Sequence, residues 1–274
     1  MNSCKENNQD LIGLIAGTGE IPLYFARMAE KKGIKIVAIA FSNAIEKTLR
    51  PYTKKSYSIG FWKSETILQT LQQENVTSLL MLGKIDKRIV FKPQFPEMRS
   101  LRFLKRMLNH DDKTLLEGVL SELEKEGISV LSQRDYLPEL FPCQGVLTQR
   151  QPTEDEMADV KYGFSLARKM ADLEVGQTVA VKNKTAVAIE ALEGTDRALE
   201  RGCELSGGKC VAVKVSRTNQ DFRFDCPGVG VKTIETLAKG DASVLAIEAG
   251  RVMIIGLNEV IKKADEENIT LVAI

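Results

Sequence analysis

Leu11-Ile-Gly-Leu-Ile-Ala-Gly-Thr-Gly-Glu-Ile-Pro22 decides the fold of the first half of this 274-residue chain. Its mainly apolar first six residues end at a turn, Gly17-Thr18-Gly19, and a helical pattern then covers residues 21–32. A second β-rich run follows at residues 34–41. A strand, a glycine turn, a helix and another strand in this order are typical of a parallel βαβ unit.

The same alternation continues through the first half of the chain. Helical patterns and β-rich runs follow one another at residues 63–74, 78–82, 114–126 and 128–131. Residues 138–152 then contain three prolines and no periodicity, which indicates a boundary. We therefore predict an α/β protein, with a Rossmann-like parallel-sheet domain over residues 1–142 and a mixed α/β domain over residues 143–274. Thr153 and Glu156 have the spacing of a capping box and begin the next helix.

The second domain has a different pattern of elements. Asn183-Lys184 lies between two β-rich runs and predicts a hairpin turn. Ala249-Gly250 predicts a second hairpin, which would join residues 244–248 to residues 252–255. The remaining patterns predict strands at residues 211–215 and 270–274, and helices at residues 231–239 and 258–267.

The composition excludes several classes of protein and site. The 38 basic and 37 acidic residues give a net charge of +1, which leaves no overall field to attract nucleic acid. The first ten residues are polar, and no apolar run reaches the roughly 18 residues of a membrane span, so we expect a cytoplasmic protein. One histidine, His110, and five cysteines without a C-x-x-C pair argue against zinc sites and Ser-His-Asp triads. Carboxylates, lysines and a hard metal ion are left to carry any catalysis.

The glycine turn has two interpretations. Gly17 and Gly19 allow a tight connection into a helix whose amino terminus holds a phosphate group, or they serve a purely structural turn. Pro22 stands where a dinucleotide fingerprint has its third glycine. The second strand leads into Ser42-Asn43 without the acidic residue that binds a ribose. The pattern therefore favours a phosphate site over a nicotinamide site.

Residues 84–106 form a basic segment, in which eight basic and two acidic residues give a charge of +6. Leu101, Leu104 and Leu108 recur at helical spacing beside the basic positions. Such a helix either lies on an anionic membrane surface or packs its leucines on the protein's own core. Asp111-Asp112 follow directly, either as a cap of the next helix or as ligands of a metal ion.

The densest group of polar residues lies between Lys214 and Thr233. If the chain after Val215 is extended, alternate side chains share one face. Aspartate oxygens on such a face suit Mg²⁺ or Mn²⁺ and arginines suit phosphate, whereas the structural alternative is an exposed edge strand of mixed charge. The five residues expected on this face are Arg217, Asn219, Asp221, Arg223 and Asp225.

Together these motifs resemble one enzyme family, the LpxI-type UDP-2,3-diacylglucosamine pyrophosphatases. The length of the chain fits the family, and the motifs occur in the expected order. Arg217-Thr218 stands where the family usually has Lys-Pro. The matching motifs are Gly13-Leu-Ile-Ala-Gly-x-Gly-x-x-Pro22, Asp111-Asp112, Glu190-Ala-x-Glu-Gly-Thr-Asp196 and Gln220-Asp-x-Arg-x-Asp-x-Pro-x-x-Gly-x-x-Thr233.

The resemblance implies a two-domain, Mg²⁺-dependent enzyme of lipid A biosynthesis. It would hydrolyse UDP-2,3-diacylglucosamine to 2,3-diacylglucosamine 1-phosphate (lipid X) and UMP, as a cytoplasmic protein associated peripherally with the inner membrane. The family's required aspartate falls on Asp225, the expected catalytic residue. Ligands of Mg²⁺, or of Mn²⁺ in its place, are expected among Asp111, Asp112, Asp221 and Asp225. The expected substrate-binding residues are Gly17, Thr18, Gly19, Lys84, Glu190, Gly194, Thr195, Asp196, Lys214, Gln220 and Arg223.

Two other functions remain as alternatives. A nicotinamide-dependent oxidoreductase would use the glycine turn, and a non-catalytic nucleotide or lipid carrier would need the aspartates only for structure. Binding of NAD(P) distinguishes the first from a pyrophosphatase, and product formation from the UDP-sugar lipid distinguishes the second. The sequence indicates no nucleic-acid partner, and it leaves open whether the chain is a monomer or a homodimer.

Overall fold

The computed structural model describes residues 11–84 and 112–274, and the chain divides into two compact units between Gln133 and Arg134. This division lies nearer the amino terminus than the boundary predicted after residue 142. Each unit has its own main sheet. In the described residues, no helix has both the length and the apolar character needed to cross a membrane.

The first unit is built on a five-stranded parallel sheet, which confirms the α/β prediction. Its strands are β1 Leu11–Ala16, β2 Lys35–Ala40, β3 Lys55–Ser58, β4 Ser78–Leu82 and β5 Ser129–Val130, in the order β3-β2-β1-β4-β5. Its helices are α1 Ile21–Lys31, α2 Asn43–Leu49, α3 Ser64–Gln73 and α4 Asp112–Lys125. The opening stretch thus supplies the central strand. Residues 36–40 of β2 are all fully buried, as expected for a parallel strand covered on both faces.

Two elements of the first unit have no counterpart in the sequence prediction. β3 is a four-residue edge strand of sequence Lys-Ser-Tyr-Ser, and none of its residues is buried. It therefore contains no apolar run that a pattern can detect. The short helix α2 begins after Ser42, whose hydroxyl caps it by accepting the backbone N–H of Ile45 (3.4 Å).

The second unit contains a six-stranded mixed sheet in the order β6-β13-β11-β9-β7-β8, together with the separate pair β10-β12. The strands are β6 Gly145–Val146, β7 Thr178–Lys182, β8 Thr185–Ile189, β9 Val211–Lys214, β10 Gly228–Val229, β11 Val244–Ile247, β12 Met253–Ile254 and β13 Thr270–Ala273. The short helix α5 Gln133–Tyr136 begins at the last residue of the first unit. The helices within the second unit are α6 Glu154–Asp172, α7 Thr195–Ser206, α8 Val231–Lys239 and α9 Leu257–Glu266. β9, β11 and β13 are parallel to one another, and the other strands of this sheet are antiparallel to their neighbours.

The prediction of a hairpin between residues 244–248 and 252–255 is wrong. β11 pairs with β9 and β13, while β12 pairs in parallel with β10. Between them the chain makes a helical turn, because the N–H of Val252 donates to the carbonyl of Glu248 (3.0 Å). The apolar runs indicate strands but not their partners, and a strand as buried as β11 needs a neighbour on each edge.

Other local predictions are confirmed. Asn183 and Lys184 both have positive φ, at 52° and 56°, which is the type I′ geometry of a tight hairpin between β7 and β8. Thr153 and Glu156 form both hydrogen bonds of a capping box at the start of α6.

The register of the sheet positions the candidate site. Lys214 at the end of β9 is paired with Ile247 at the end of β11. Because these strands are parallel, the residues that follow both of them emerge at the same edge of the sheet. Ligands bind at this edge in many α/β proteins.

Candidate active site

The 215–227 loop, defined as residues 215–227 between β9 and β10, contains the predicted catalytic carboxylate. The prediction that this segment is extended is wrong, because the chain makes two turns within it. The carboxylate of Asp221 accepts the backbone N–H of Arg223 (2.9 Å), and its carbonyl accepts the N–H of Asp225 (3.3 Å). Aspartate favours such turns because its side chain bonds the backbone two residues further on. The alternating polar residues therefore do not line one face of a strand.

Asp225 lies near the end of this loop, and its side chain is 44% exposed. Its Oδ2 accepts hydrogen bonds from Nη2 of Arg217 (2.5 Å) and Nε2 of Gln220 (3.0 Å). Gln220 is mostly buried and also donates to the carbonyl oxygen of Asp225 (2.7 Å). Arg217 in addition donates to Glu174 (3.1 Å). A cation and an amide thus orient Asp225 while leaving it accessible.

Asp221 is paired with Arg223 instead of lying beside Asp225 as a second metal ligand. Nη2 of Arg223 donates to Oδ2 (2.7 Å) and Nε donates to Oδ1 (3.0 Å), a bidentate arrangement. Burial acts to raise the pKa of the Asp221 carboxyl, but the side-chain and backbone hydrogen bonds from Arg223 outweigh it and leave this pKa below its ordinary value. Both oxygens of Asp221 are therefore committed to a neighbour within the loop.

Glu248, directly after β11, was missed by the sequence analysis. Its side chain is buried, and Oε2 accepts from the backbone N–H (2.9 Å) and the hydroxyl (2.8 Å) of Ser216. Oε1 accepts from Arg168 and forms an ion pair with Nε of Arg251 (3.1 Å). One sequence signal points to this residue, because Glu248 is the acidic end of the apolar run 244–248. An acidic side chain is rarely buried unless it is paired, as Glu248 is with two arginines.

Arg251 and Asp172 hold the beginning of the same loop. Nη2 of Arg251 donates to the carbonyl oxygens of Arg217 (2.7 Å) and Thr218 (3.1 Å). Asp172, the last residue of α6, accepts the backbone N–H (2.7 Å) and the hydroxyl (2.8 Å) of Thr218. These hydrogen bonds from Thr218 lower the pKa of the Asp172 carboxyl. No local pattern distinguishes these two residues from other surface charges.

Three predicted substrate-binding residues, far apart in sequence, are brought together beneath this loop. Lys214 is buried, and its Nζ donates to the hydroxyl of Thr195 (2.6 Å) and lies 4.0 Å from Oε2 of Glu190. Thr195 in turn donates to Oε1 of Glu190 (2.7 Å). Gln177 connects this group to the loop, because its backbone N–H donates to Glu190 (3.3 Å) and its side chain to Gln220 (3.0 Å).

The other two residues of that motif lie at the start of α7. Gly194 precedes the helix with φ 82°, a conformation that favours glycine. Asp196 lies in the first turn and forms an ion pair with the exposed Lys232 (2.6 Å). Asp196 is thus directed towards α8.

In the first unit, the backbone of the glycine turn lies directly against the backbone that follows β4. The N–H of Gly17 donates to the carbonyl of Leu82 (2.8 Å), and the N–H of Thr18 donates to that of Lys84 (2.8 Å). A Cβ on Gly17 would lie 2.5 Å from the carbonyl oxygen of Lys84. Close approach of two backbones therefore accounts for Gly17, and these two N–H groups are already engaged. Gly19 has φ 107°, which explains the second glycine.

The remaining predictions fall on or beside the part of the chain that the structure leaves undescribed. Asp111 and the basic segment beyond Lys84 lie outside the described residues. Asp112 is the first residue of α4.

The described residues of the candidate site fit a Mg²⁺ ion that one carboxylate binds. Among the residues that the structure describes, no three acidic, histidine or cysteine side chains are grouped closely enough to hold a metal ion. Mg²⁺ is commonly bound by one or two carboxylates, with phosphate oxygens and water completing its six ligands. Asp225, accessible and beside Arg217, is suited to be such a carboxylate.

Comparison with solved structures gives only weak likeness. The biotin carboxylase domain of Hydrogenobacter thermophilus 2-oxoglutarate carboxylase is 14% identical with a TM-score of 0.26, covering 71% of this chain and 41% of its own. N5-carboxyaminoimidazole synthetase from Staphylococcus aureus is 13% identical with a TM-score of 0.26, covering 74% of this chain and 45% of its own. This chain thus spans less than half the length of either protein.

Comparison of sequences is far more specific. UDP-2,3-diacylglucosamine pyrophosphatase LpxI of Caulobacter vibrioides is 29% identical over 266 residues, which cover 93% of this chain and 94% of that protein. The family model of the LpxI N-terminal domain matches residues 11–140, and that of the LpxI C-terminal domain matches residues 143–272. Two domain models that follow one another over nearly the whole length establish that this chain belongs to the LpxI family.

Proposed function

We propose that this chain hydrolyses the pyrophosphate bond of UDP-2,3-diacylglucosamine, releasing lipid X and UMP in lipid A biosynthesis. The name of the relative from Caulobacter vibrioides supports the substrate, because the two proteins are similar over almost their full lengths. The observation that carries the proposal is the arrangement of Asp225 with Arg217 and Gln220 on a loop at the carboxyl edge of the sheet. Phosphoryl transfer requires a carboxylate that holds a metal ion or orients the nucleophile, and a cation that neutralises phosphate charge.

The residues of the second unit have distinct roles in this reaction. Asp225 holds Mg²⁺ or orients the attacking water and receives its proton. Arg217 is placed to neutralise a phosphate oxygen when the substrate displaces it from Asp225, since a guanidinium matches phosphate in shape and charge. Asp225 would hold a Mg²⁺ ion, which would supply Lewis-acid stabilisation of the charge that develops on the pyrophosphate. The group of Lys214, Thr195 and Glu190, of which Lys214 is buried, binds the substrate beside the loop.

The reaction balances in the same way whichever phosphorus is attacked. One water molecule adds its oxygen to one phosphorus atom, and the bond from that phosphorus to the bridging oxygen breaks. The bridging oxygen and its electron pair leave with the other phosphate, and the two protons of the water pass to the products or to solvent. The products are UMP and lipid X in both cases, so only isotopic labelling distinguishes the two routes.

Incubation with UDP-2,3-diacylglucosamine, followed by mass spectrometry, tests the proposed function. We expect UMP and lipid X in equal amounts, loss of activity with EDTA, and recovery with Mg²⁺ or Mn²⁺ because the ligands are hard oxygens. In ¹⁸O-water the label appears in the product whose phosphorus was attacked. No product at all would favour a carrier protein, and full activity after rigorous metal removal would contradict the Mg²⁺ proposal.

We also propose that the protein works in the cytoplasm, on the surface of the inner membrane, through the basic segment of residues 84–106. Its charge of +6 beside Leu101, Leu104 and Leu108 suits an anionic membrane, where each basic residue contributes about 1 kcal/mol. Replacing Arg102 and Arg106 by glutamine should weaken binding to anionic vesicles or raise KM, with kcat nearly unchanged. Loss of kcat with an intact KM would instead assign these arginines to the phosphate site.

A further inference from the structure

We propose that Arg251, held by Glu248, is the positioning residue of the 215–227 loop and fixes the backbone from which Arg217 reaches Asp225. The catalytic meaning of this inference rests on the proposed function, but the positioning itself can be measured without it. Neither residue belongs to the motifs that carry the family resemblance.

The contacts of Arg251 reach three consecutive residues of the loop. Its Nε donates to the hydroxyl of Ser216 (2.7 Å), and its Nη2 donates to the carbonyl oxygens of Arg217 (2.7 Å) and Thr218 (3.1 Å). One planar guanidinium thus satisfies the polar groups of a segment that belongs to no sheet or helix. Because Arg217 is in the middle of this segment, the position of its backbone depends on Arg251.

Glu248 forms an ion pair with Arg251 and so helps to hold it in place. It is 7% exposed, it lies 3.1 Å from Nε of Arg251, and it binds the fully buried Ser216 through both the backbone N–H and the hydroxyl. A buried carboxylate of this kind is costly unless all its neighbours are present. Glu248 comes directly after β11, so its position is fixed by the sheet.

Arg251 also contacts an aromatic ring of the loop, that of Phe222. Its guanidinium carbon lies 5.2 Å from the centre of the Phe222 ring, which is itself buried within the loop. Phe222 also packs edge-to-face on Phe141, with ring centres 6.2 Å apart. Stacking on a ring while donating to several acceptors is a property of arginine that lysine lacks. The beginning and the middle of the loop are therefore joined through this one side chain.

A charge-conserving substitution separates positioning from charge balance. Arg251→Lys keeps a cation for Glu248 but cannot reach Ser216 and two carbonyl oxygens together. The matched control is Arg150→Lys, because Arg150 is similarly exposed (25% against 27%) and also binds a carboxylate, Glu156 (2.6 Å), together with a hydroxyl and a carbonyl away from the loop. Both variants are expected to lose similar thermal stability.

With UDP-2,3-diacylglucosamine as substrate, we expect Arg251→Lys to lower kcat about 10-fold or more while KM changes about twofold or less, since small displacements of reacting groups cost such factors. Arg150→Lys should keep the kcat of the unaltered protein. A native kcat in Arg251→Lys would overturn the proposal, and so would an equal loss of kcat in both variants.

Cys226 reports the order of the loop independently of activity. It follows Asp225, and its thiol donates to the carbonyl oxygen of Phe222 within the loop (3.7 Å). We expect iodoacetamide to modify Cys226 several-fold faster in Arg251→Lys than in the unaltered protein, while the buried Cys203 and Cys210 keep their rates. An unchanged rate at Cys226 would overturn the proposal even where kcat falls. If the unaltered protein does not cleave the substrate, the proposed function fails, and this rate alone decides the positioning.

Discussion

The glycine turn of the first unit and the 215–227 loop of the second are both predicted to bind phosphate, yet different kinds of hydrogen bond stabilise them. In the turn, backbone binds backbone: the N–H groups of Gly17 and Thr18 donate to the carbonyls of Leu82 and Lys84. In the loop, side chains bind backbone and other side chains, with Arg251 donating to two carbonyl oxygens.

This difference shows what each sequence signal means. A glycine is required wherever two backbones approach closely, so Gly17 is explained without any ligand. The side chains of Asp225 and Arg217 have no such backbone reason, because they bind other side chains. Structural contacts occupy Asp221 within the loop and Glu248 beside it, whereas Asp225 remains 44% exposed. We therefore expect the chemistry in the loop and a structural role for Gly17, and three substitutions test this expectation.

The largest effect is expected at Asp225. Asp225→Asn keeps the size of the side chain but removes the charge that holds a metal ion or accepts a proton. Turnover of UDP-2,3-diacylglucosamine should fall on the order of 100-fold or more. Thermal stability should hardly change, because a half-exposed ion pair contributes at most about 1 kcal/mol.

Asp241 provides the control for this substitution. It is a surface aspartate paired with Lys209 (2.6 Å) in the same unit, and it belongs to no predicted site. Asp241→Asn should leave turnover unchanged. Near-native turnover in Asp225→Asn would show that Asp225 is not needed for catalysis and would contradict the proposed role of the loop.

A smaller effect, on stability, is expected at Gly17. In Gly17→Ala the new Cβ would lie 2.5 Å from a backbone oxygen that cannot move easily, which costs about 1–3 kcal/mol of unfolding free energy. Gly118→Ala is the control in the same unit, since Gly118 lies in α4 with open space around it and alanine favours helices. Urea unfolding measures both. A native stability of Gly17→Ala combined with lost substrate binding would restore the phosphate interpretation of the turn.

The parts of the molecule that sequence predicts well are those with a local cause. The strand, turn and helix of residues 11–31 follow from an apolar run and glycines, and the tight turn at Asn183-Lys184 follows from residues that tolerate positive φ. The 215–227 loop was mispredicted because Asp221 bonds the backbone of Arg223, which alternation of polar residues does not reveal.

The supports of the loop were missed for a different reason. Glu248 and Arg251 approach Ser216 only because β9 and β11 are neighbours in register, with Lys214 opposite Ile247. Strand partnership is a tertiary property, and the sequence had suggested a different partner for β11. Asp225 is predicted to be catalytic through the motif around it, and this stays a prediction. Its direct contact with Arg217 depends on the turns of the loop, which the motif does not reveal.

The smallest effect is expected at Asp172, which anchors Thr218 at the start of the loop. Hydrogen bonds from Thr218 set the pKa of this carboxyl below its ordinary value of 3.8. A lowered pKa means that the folded protein prefers the ionised form, so the contribution to stability is complete at neutral pH and is lost as the pH falls through the lowered pKa. Asp172→Asn should therefore be slightly less stable than the unaltered protein at pH 7, and the difference should shrink below about pH 4. Urea unfolding of both proteins from pH 7 to pH 3 measures this, and the other carboxyls cancel in the comparison. A difference that grows on acidification would show that Asp172 does not anchor the loop through its charge.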